Sequence, residues 1–90
     1  MPIKSVENKT ETMKDKSIRR KLYRVLRKTG VQKKDIQIEA SYNEDLNFDT
    51  VDWKIFMFYL EGIFNISIDD EEISKLGSVN DTLRYLKNTA

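Results

Sequence analysis

The sequence predicts an all-α domain: a four-helix bundle of three principal helices and one short helix, with a long first loop. Three observations carry that reading. Apolar residues recur at helical rather than alternating spacing in separate segments. The segments are bracketed by residues that start and stop helices, with Gly30 after the first, Asp49 and Asn65 around the second, and Ser78 ahead of the last. Ninety residues are also enough for one modest core and no more.

Residues 1–15 hold few large apolar side chains and no period, so they are expected to form a disordered leader ahead of a helical domain over 16–90. The first helix is expected from Ser17 to Thr29. Ile18, Leu22, Val25 and Leu26 fall on one stripe, flanked by Tyr23, and Arg19, Arg20, Lys21, Arg24, Arg27 and Lys28 cover the rest. Asp15 or Ser17 is expected to cap its start, and Gly30 suits the left-handed position that ends it. A connection over 31–49 follows, too long for a compact domain unless anchored or functional. Val31, Ile36, Ile38, Tyr42, Leu46 and Phe48 are its expected anchors, with a short turn over Tyr42–Leu46 capped by Ser41 and supported by Glu44.

The second helix is expected from Thr50 to Phe64, with Asp49 as N-cap, Asp52 favourable in its first turn and Asn65 ending it. Its pattern divides at 100° per residue. Phe56, Leu60 and Phe64 line one face, flanked by Trp53 and Met57, while Val51, Ile55, Phe58 and Tyr59 cluster on another. The first set is the core face. The second is an apolar surface patch of the kind that marks a binding site, with part of Tyr59 tucked inward. A short third helix is expected over Asp70–Lys75, broken by Gly77 and Ser78. A last helix over Val79–Lys87 puts Val79, Leu83 and Leu86 inward behind the Ser78 cap.

Composition removes whole classes of chemistry. There is no cysteine and no histidine, hence no disulfide, no thiolate metal site and none of the commonest general base. An independent enzyme is not expected, nor is a metal. The longest apolar run, Ile55–Leu60, is far short of the ~20 residues that span a bilayer, and the start lacks the apolar core of a secretory signal, so the expected location is cytoplasmic. Charge is segregated. Residues 1–34 hold twelve Lys/Arg and three Asp/Glu, whereas residues 35–90 hold four and twelve. Binding of nucleic acid or an anionic surface by the basic first helix is a weak reading, because the acidic remainder opposes it and no aromatic platform interleaves the cations.

The chain runs from Gly30-Val31 through Ala40-Ser41-Tyr42 and Glu44-Asp45-Leu46 to Asp49-Thr50-Val51-Asp52. It continues through Leu60-Glu61, Phe64 and Ile68-Asp69-Asp70-Glu71-Glu72 to Ser78-Val79 and Tyr85-Leu86. In this order and spacing the segments resemble the acyl carrier protein family, with no insertion or deletion, over about three-quarters of the chain. The resemblance implies that family's four-helix bundle. It also implies 4′-phosphopantetheine attachment at the position of Thr50, where the family carries serine in an Asp-Ser-Leu triplet. Such a carrier is a substrate passed between enzymes and has no catalytic residues.

This sequence departs from the family pattern at four places. Thr50 replaces the serine, giving a secondary, bulkier and χ1-stiffened nucleophile that a transferase must bring into line with coenzyme A. Asn47 replaces a glycine, a tolerable change because asparagine also accepts a left-handed backbone. Ile55, Gly62 and Ile63 stand where acids are common and Lys54 adds a positive charge, leaving Asp49, Asp52 and Glu61 on that side. Trp53 lies toward the side where family members admit an acyl chain and is expected to be a structural, buried ring. The expectation is a non-catalytic docking domain without phosphopantetheine on Thr50. Its protein partner, a biosynthetic enzyme or assembly component, would be met through Asp49, Val51, Asp52, Lys54, Ile55, Phe58 and Gly62. The alternative is a working acyl or peptidyl carrier in fatty-acid, polyketide or related biosynthesis, armed at Thr50. A homodimer through the same apolar patch is left open.

Overall fold

The computed structural model describes residues 12–89, and among these it contains four α-helices and no strand. Helix α1 spans Met13–Thr29 and so begins four residues ahead of the expected Ser17. The reason is Thr12, which closes a capping box: the Asp15 N–H donates to Thr12 Oγ1 at 3.0 Å and the Thr12 N–H to Asp15 Oδ2 at 3.3 Å. Asp15 is thus the reciprocal partner of the cap rather than the cap, and Ser17 lies inside the helix. The expected leader lies outside the described residues as far as position 11, and positions 12–15 belong to the cap and first turn. At the other end Gly30 adopts φ +115°, with its N–H on the Arg27 carbonyl and that of Val31 on Leu26.

The loop that follows is held by the far end of the chain. It opens with a single 3-10 turn, Lys33–Asp35, which periodicity does not signal. Tyr42 N–H then donates to Gly77 O at 3.1 Å, Val79 N–H to Ala40 O at 3.0 Å and Asn80 N–H to Ile38 O at 2.9 Å. These bonds stitch the loop to the start of the last helix, which is how a connection of this length stays ordered. Tyr42 and Phe48 are buried and Val31, Ile36 and Leu46 half-buried, as expected of anchors. Ile38 is not one of them: its side chain is 40% exposed and its contribution is the carbonyl. Ser41 Oγ accepts from the Glu44 N–H, but the carboxylate that returns to the Ser41 N–H, at 2.7 Å, is Asp45 rather than Glu44.

Helix α2 spans Thr50–Phe64, α3 Asp70–Ile73 and α4 Val79–Thr89. The second has the expected ends, the third stops two residues before Lys75 and the fourth runs two residues past Lys87. Helix α1 packs against both α2 and α4. The core joins Ile18, Leu22, Val25 and Leu26 of α1 to Phe56 and Leu60 of α2 and to Val79, Leu83 and Leu86 of α4. At the α1–α2 seam the exposed Lys21 and Lys28 reach across to aromatic rings, their ammonium groups lying 5.9 Å from the Phe64 ring centroid and 5.8 Å from that of Tyr59.

Under the head of α2 the core is aromatic. Tyr42, Phe48, Trp53 and Phe56 form a cluster in which every pair of ring centroids lies 5.1 to 5.8 Å apart. The one polar atom pair inside it is satisfied. Thr82 Oγ1 donates to the Ser78 carbonyl at 3.2 Å, so the Tyr42 hydroxyl, 2.6 Å away, donates to Thr82. Burial pushes the Tyr42 phenol well above its ordinary pKa of 10.0.

Candidate functional site at the head of the second helix

Asn47 and Asp49 set the entry to α2. Asn47 takes φ +55°, so asparagine supplies the left-handed turn in place of glycine, as the sequence leads one to expect. Asp49 is the N-cap. Its Oδ1 accepts from the Asp52 N–H at 2.8 Å, and Asp52 Oδ2 accepts from the Asp49 N–H at 3.1 Å. Both carboxylates are therefore already engaged by backbone N–H groups. They hold the first turn.

Between them, at the first helical position, Thr50 is exposed, and its hydroxyl makes no hydrogen bond among the described residues. The position fits a solvent-side arm sterically, since nothing covers the oxygen. The nucleophile is nonetheless a β-branched alcohol on a fixed helical turn. Below it, Trp53 packs on Tyr42, Phe48 and Phe56 but is half-buried rather than the buried ring the sequence leads one to expect, because part of it faces the groove beside Thr50. Thr50 stands on an open groove of about 450 Å³ between α2 and Ile73 of α3, lined also by Trp53, Met57 and Phe58, with Lys54 and Glu61 at its edge.

The two faces of α2 separate as the wheel requires. Phe56 and Leu60 are buried, and Trp53, Met57 and Phe64 half-buried. Val51 is 61% exposed, Ile55 37% and Phe58 72%, one turn apart on one side, while Tyr59 is half-buried and edge-on to Phe58 at 5.4 Å. Lys54 and Gly62 are exposed. Glu61 is not a free acid of this surface: its Oε2 accepts from the Ile68 N–H at 2.7 Å and fastens the α2–α3 loop. No local signature links positions 61 and 68, because the contact depends on Asn65 turning the chain at φ +56°. Of the expected docking residues, Lys54 and Phe58 share the groove with Thr50, Asp49 and Asp52 bond to each other's backbone across the first turn, and Val51 and Ile55 lie with Phe58 on the exposed apolar side, with Gly62 one turn beyond Phe58.

No group of His, Cys, Asp or Glu side chains among the described residues is placed to hold a metal ion, and no described helix is long and apolar enough to cross a membrane. What fold and site define is a small helical carrier-type domain, with an anchored loop feeding a solvent-facing hydroxyl at the first position of α2. Comparison with known proteins agrees. No family model matches the chain. It is 34% identical over 64 residues to an acyl carrier protein of Nitratidesulfovibrio vulgaris (strain Miyazaki F), covering 71% of this chain and 84% of that protein. It is 33% identical over 75 residues to an acyl carrier protein of Chlorobium luteolum, covering 82% of this chain and 96% of that protein. The chain belongs to the acyl carrier protein family.

Proposed function

We propose that this chain is a non-catalytic docking member of its family, working in the cytoplasm without 4′-phosphopantetheine on Thr50. It meets a biosynthetic enzyme or assembly component through α2. The observation that carries the reading is the contiguous patch of Val51, Ile55 and Phe58, which leaves large apolar side chains in water beside the attachment position. The acids that remain nearby, Asp49, Asp52 and Glu61, are hydrogen-bonded to the fold's own N–H groups, and Lys54 sets an exposed positive charge beside the exposed Asp49. Contact through this face is therefore governed by apolar burial more than by acidic steering.

The second reading, a working acyl or peptidyl carrier armed at Thr50, draws on one observation, the exposed and unbonded hydroxyl. Intact-mass measurement after incubation with coenzyme A and a broad-specificity transferase separates the two. The docking reading expects no gain on the native chain and a phosphopantetheine-sized gain on Thr50→Ser. A gain on the native chain overturns it.

A further inference from the structure

On the other side of α1 from its seam with α2, the chain builds a surface that the α2 reading does not use. Arg20, Arg24 and Arg27 recur at i, i+4 and i+7 and so lie along one line of the helix, spanning about 10 Å of its axis. The 3-10 turn folds back alongside and supplies Lys33 as the facing wall. Half-buried Tyr23 and Ile36 form an apolar floor between them, in an open cleft of about 400 Å³. None of Arg20, Arg24, Arg27 and Lys33 has an ion pair or hydrogen-bond partner among the described residues. Asp35, the acid of the same turn, lines hollows on its far side with Asp45 instead. Four cations without a charge partner among the described residues therefore ring an apolar floor.

We infer that the cleft formed by Arg20, Arg24, Arg27 and Lys33 over Tyr23 and Ile36 is a docking site for an acidic amphipathic helix of a partner protein. Guanidinium groups take carboxylates in paired hydrogen bonds. Glutamates at i, i+4 and i+7 of a helix laid along α1 repeat at the same axial spacing as the arginines, and an apolar residue on the same stripe covers Tyr23 and Ile36. A polynucleotide would meet the cations but leave the floor wet. It would also bring its long charge past residues 35–90, where twelve Asp/Glu outnumber four Lys/Arg. The cleft stands on α1 and the 3-10 turn alone and does not depend on whether Thr50 is modified.

The test uses the full chain and fluorescence anisotropy of a labelled helical peptide carrying Glu at i, i+4 and i+7 and Leu at i+3. A DNA duplex of about 20 base pairs and phosphatidylglycerol vesicles serve as the other probes. The peptide is expected to bind at low salt and to weaken as salt rises, and its Glu→Gln version to fail. Arg24→Glu, at an exposed position, is expected to weaken binding by about tenfold. Ile36→Ser, compared at a temperature where its circular dichroism matches the parent, should weaken it at every salt concentration without changing the salt slope. Thr50→Ser and Phe58→Glu should bind as the parent does. Absence of peptide binding at low salt, indifference to Arg24→Glu, loss in Phe58→Glu, or tighter binding to the duplex or the vesicles would each overturn the inference.

Discussion

The buried pair Tyr42–Thr82 offers a sharp check on the packing logic, because its two ends are not equivalent. The Tyr42 hydroxyl donates to Thr82 Oγ1 at 2.6 Å, and Thr82 donates onward to the Ser78 carbonyl at 3.2 Å. In Tyr42→Phe the threonine keeps its own donated bond and loses only one that it accepts, so the cost should be about 1 kcal/mol, the net worth of a hydrogen bond. In Thr82→Val, nearly the same shape, the phenol O–H is left buried with no acceptor. Its whole desolvation penalty then appears, about 2 kcal/mol. The Ser78 carbonyl is not orphaned by that change, since it still accepts from the Thr82 N–H at 3.1 Å.

The double variant removes both polar ends together and should cost about as much as Tyr42→Phe alone, giving a coupling of about 2 kcal/mol. Urea unfolding followed by circular dichroism measures all four corners. In the thermal melt each kcal/mol corresponds to about 4–8 °C for a domain of this size. If Thr82→Val proves milder than Tyr42→Phe, or the double variant costs the sum of the singles, the assigned direction of the hydrogen bond is wrong.

The same phenol predicts an alkaline signature. Its pKa is raised in the fold, so below the ordinary value of 10.0 both states hold the proton and the stability is fully present. Above it the unfolded chain ionises while the fold does not, and stability falls by about 1.4 kcal/mol per pH unit. Tyr42→Phe lacks this loss and shares the other titrating groups, so its stability should overtake the parent's near about pH 11; parallel curves would refute it. Gly62→Ala should stabilise by up to about 1 kcal/mol by urea unfolding, because the site is exposed and helical and an added Cβ meets nothing within 4 Å. Phe58→Glu should move stability by less than about 0.5 kcal/mol, since that ring is 72% exposed. The same change should also abolish any concentration dependence in sizing runs, and self-association that survives it would put the interface elsewhere.

How far the chain could be read ahead of its fold differs from element to element. Asp49, Asn65, Gly30 and Ser78 act where they were expected, because a cap meets its partners within one turn of chain. The start of α1 was missed although Thr12 and Asp15 stand at capping-box spacing, since the turn they open has no apolar stripe to draw attention to it. The Thr50–Phe64 helix and its two apolar faces follow from a period of 3.6, and the folded α2 keeps both. Glu61 was counted as surface charge, and its bond to Ile68 needed the reversal at Asn65 before the two could meet.

Local order thus belongs to the sequence: helix type, most boundaries, the caps and the division of α2 into an inward and an outward side are all settled within about four residues of where they act. The Tyr42–Thr82 bond spans 40 residues, and the stitching of Ala40 and Ile38 to α4 and the closing of the aromatic cluster under Thr50 likewise join distant segments. So does the basic cleft, which exists only because the turn at Lys33 folds back beside α1. Such contacts depend on how distant segments pack once loop closure has brought them together, and neither period nor propensity along the chain encodes that.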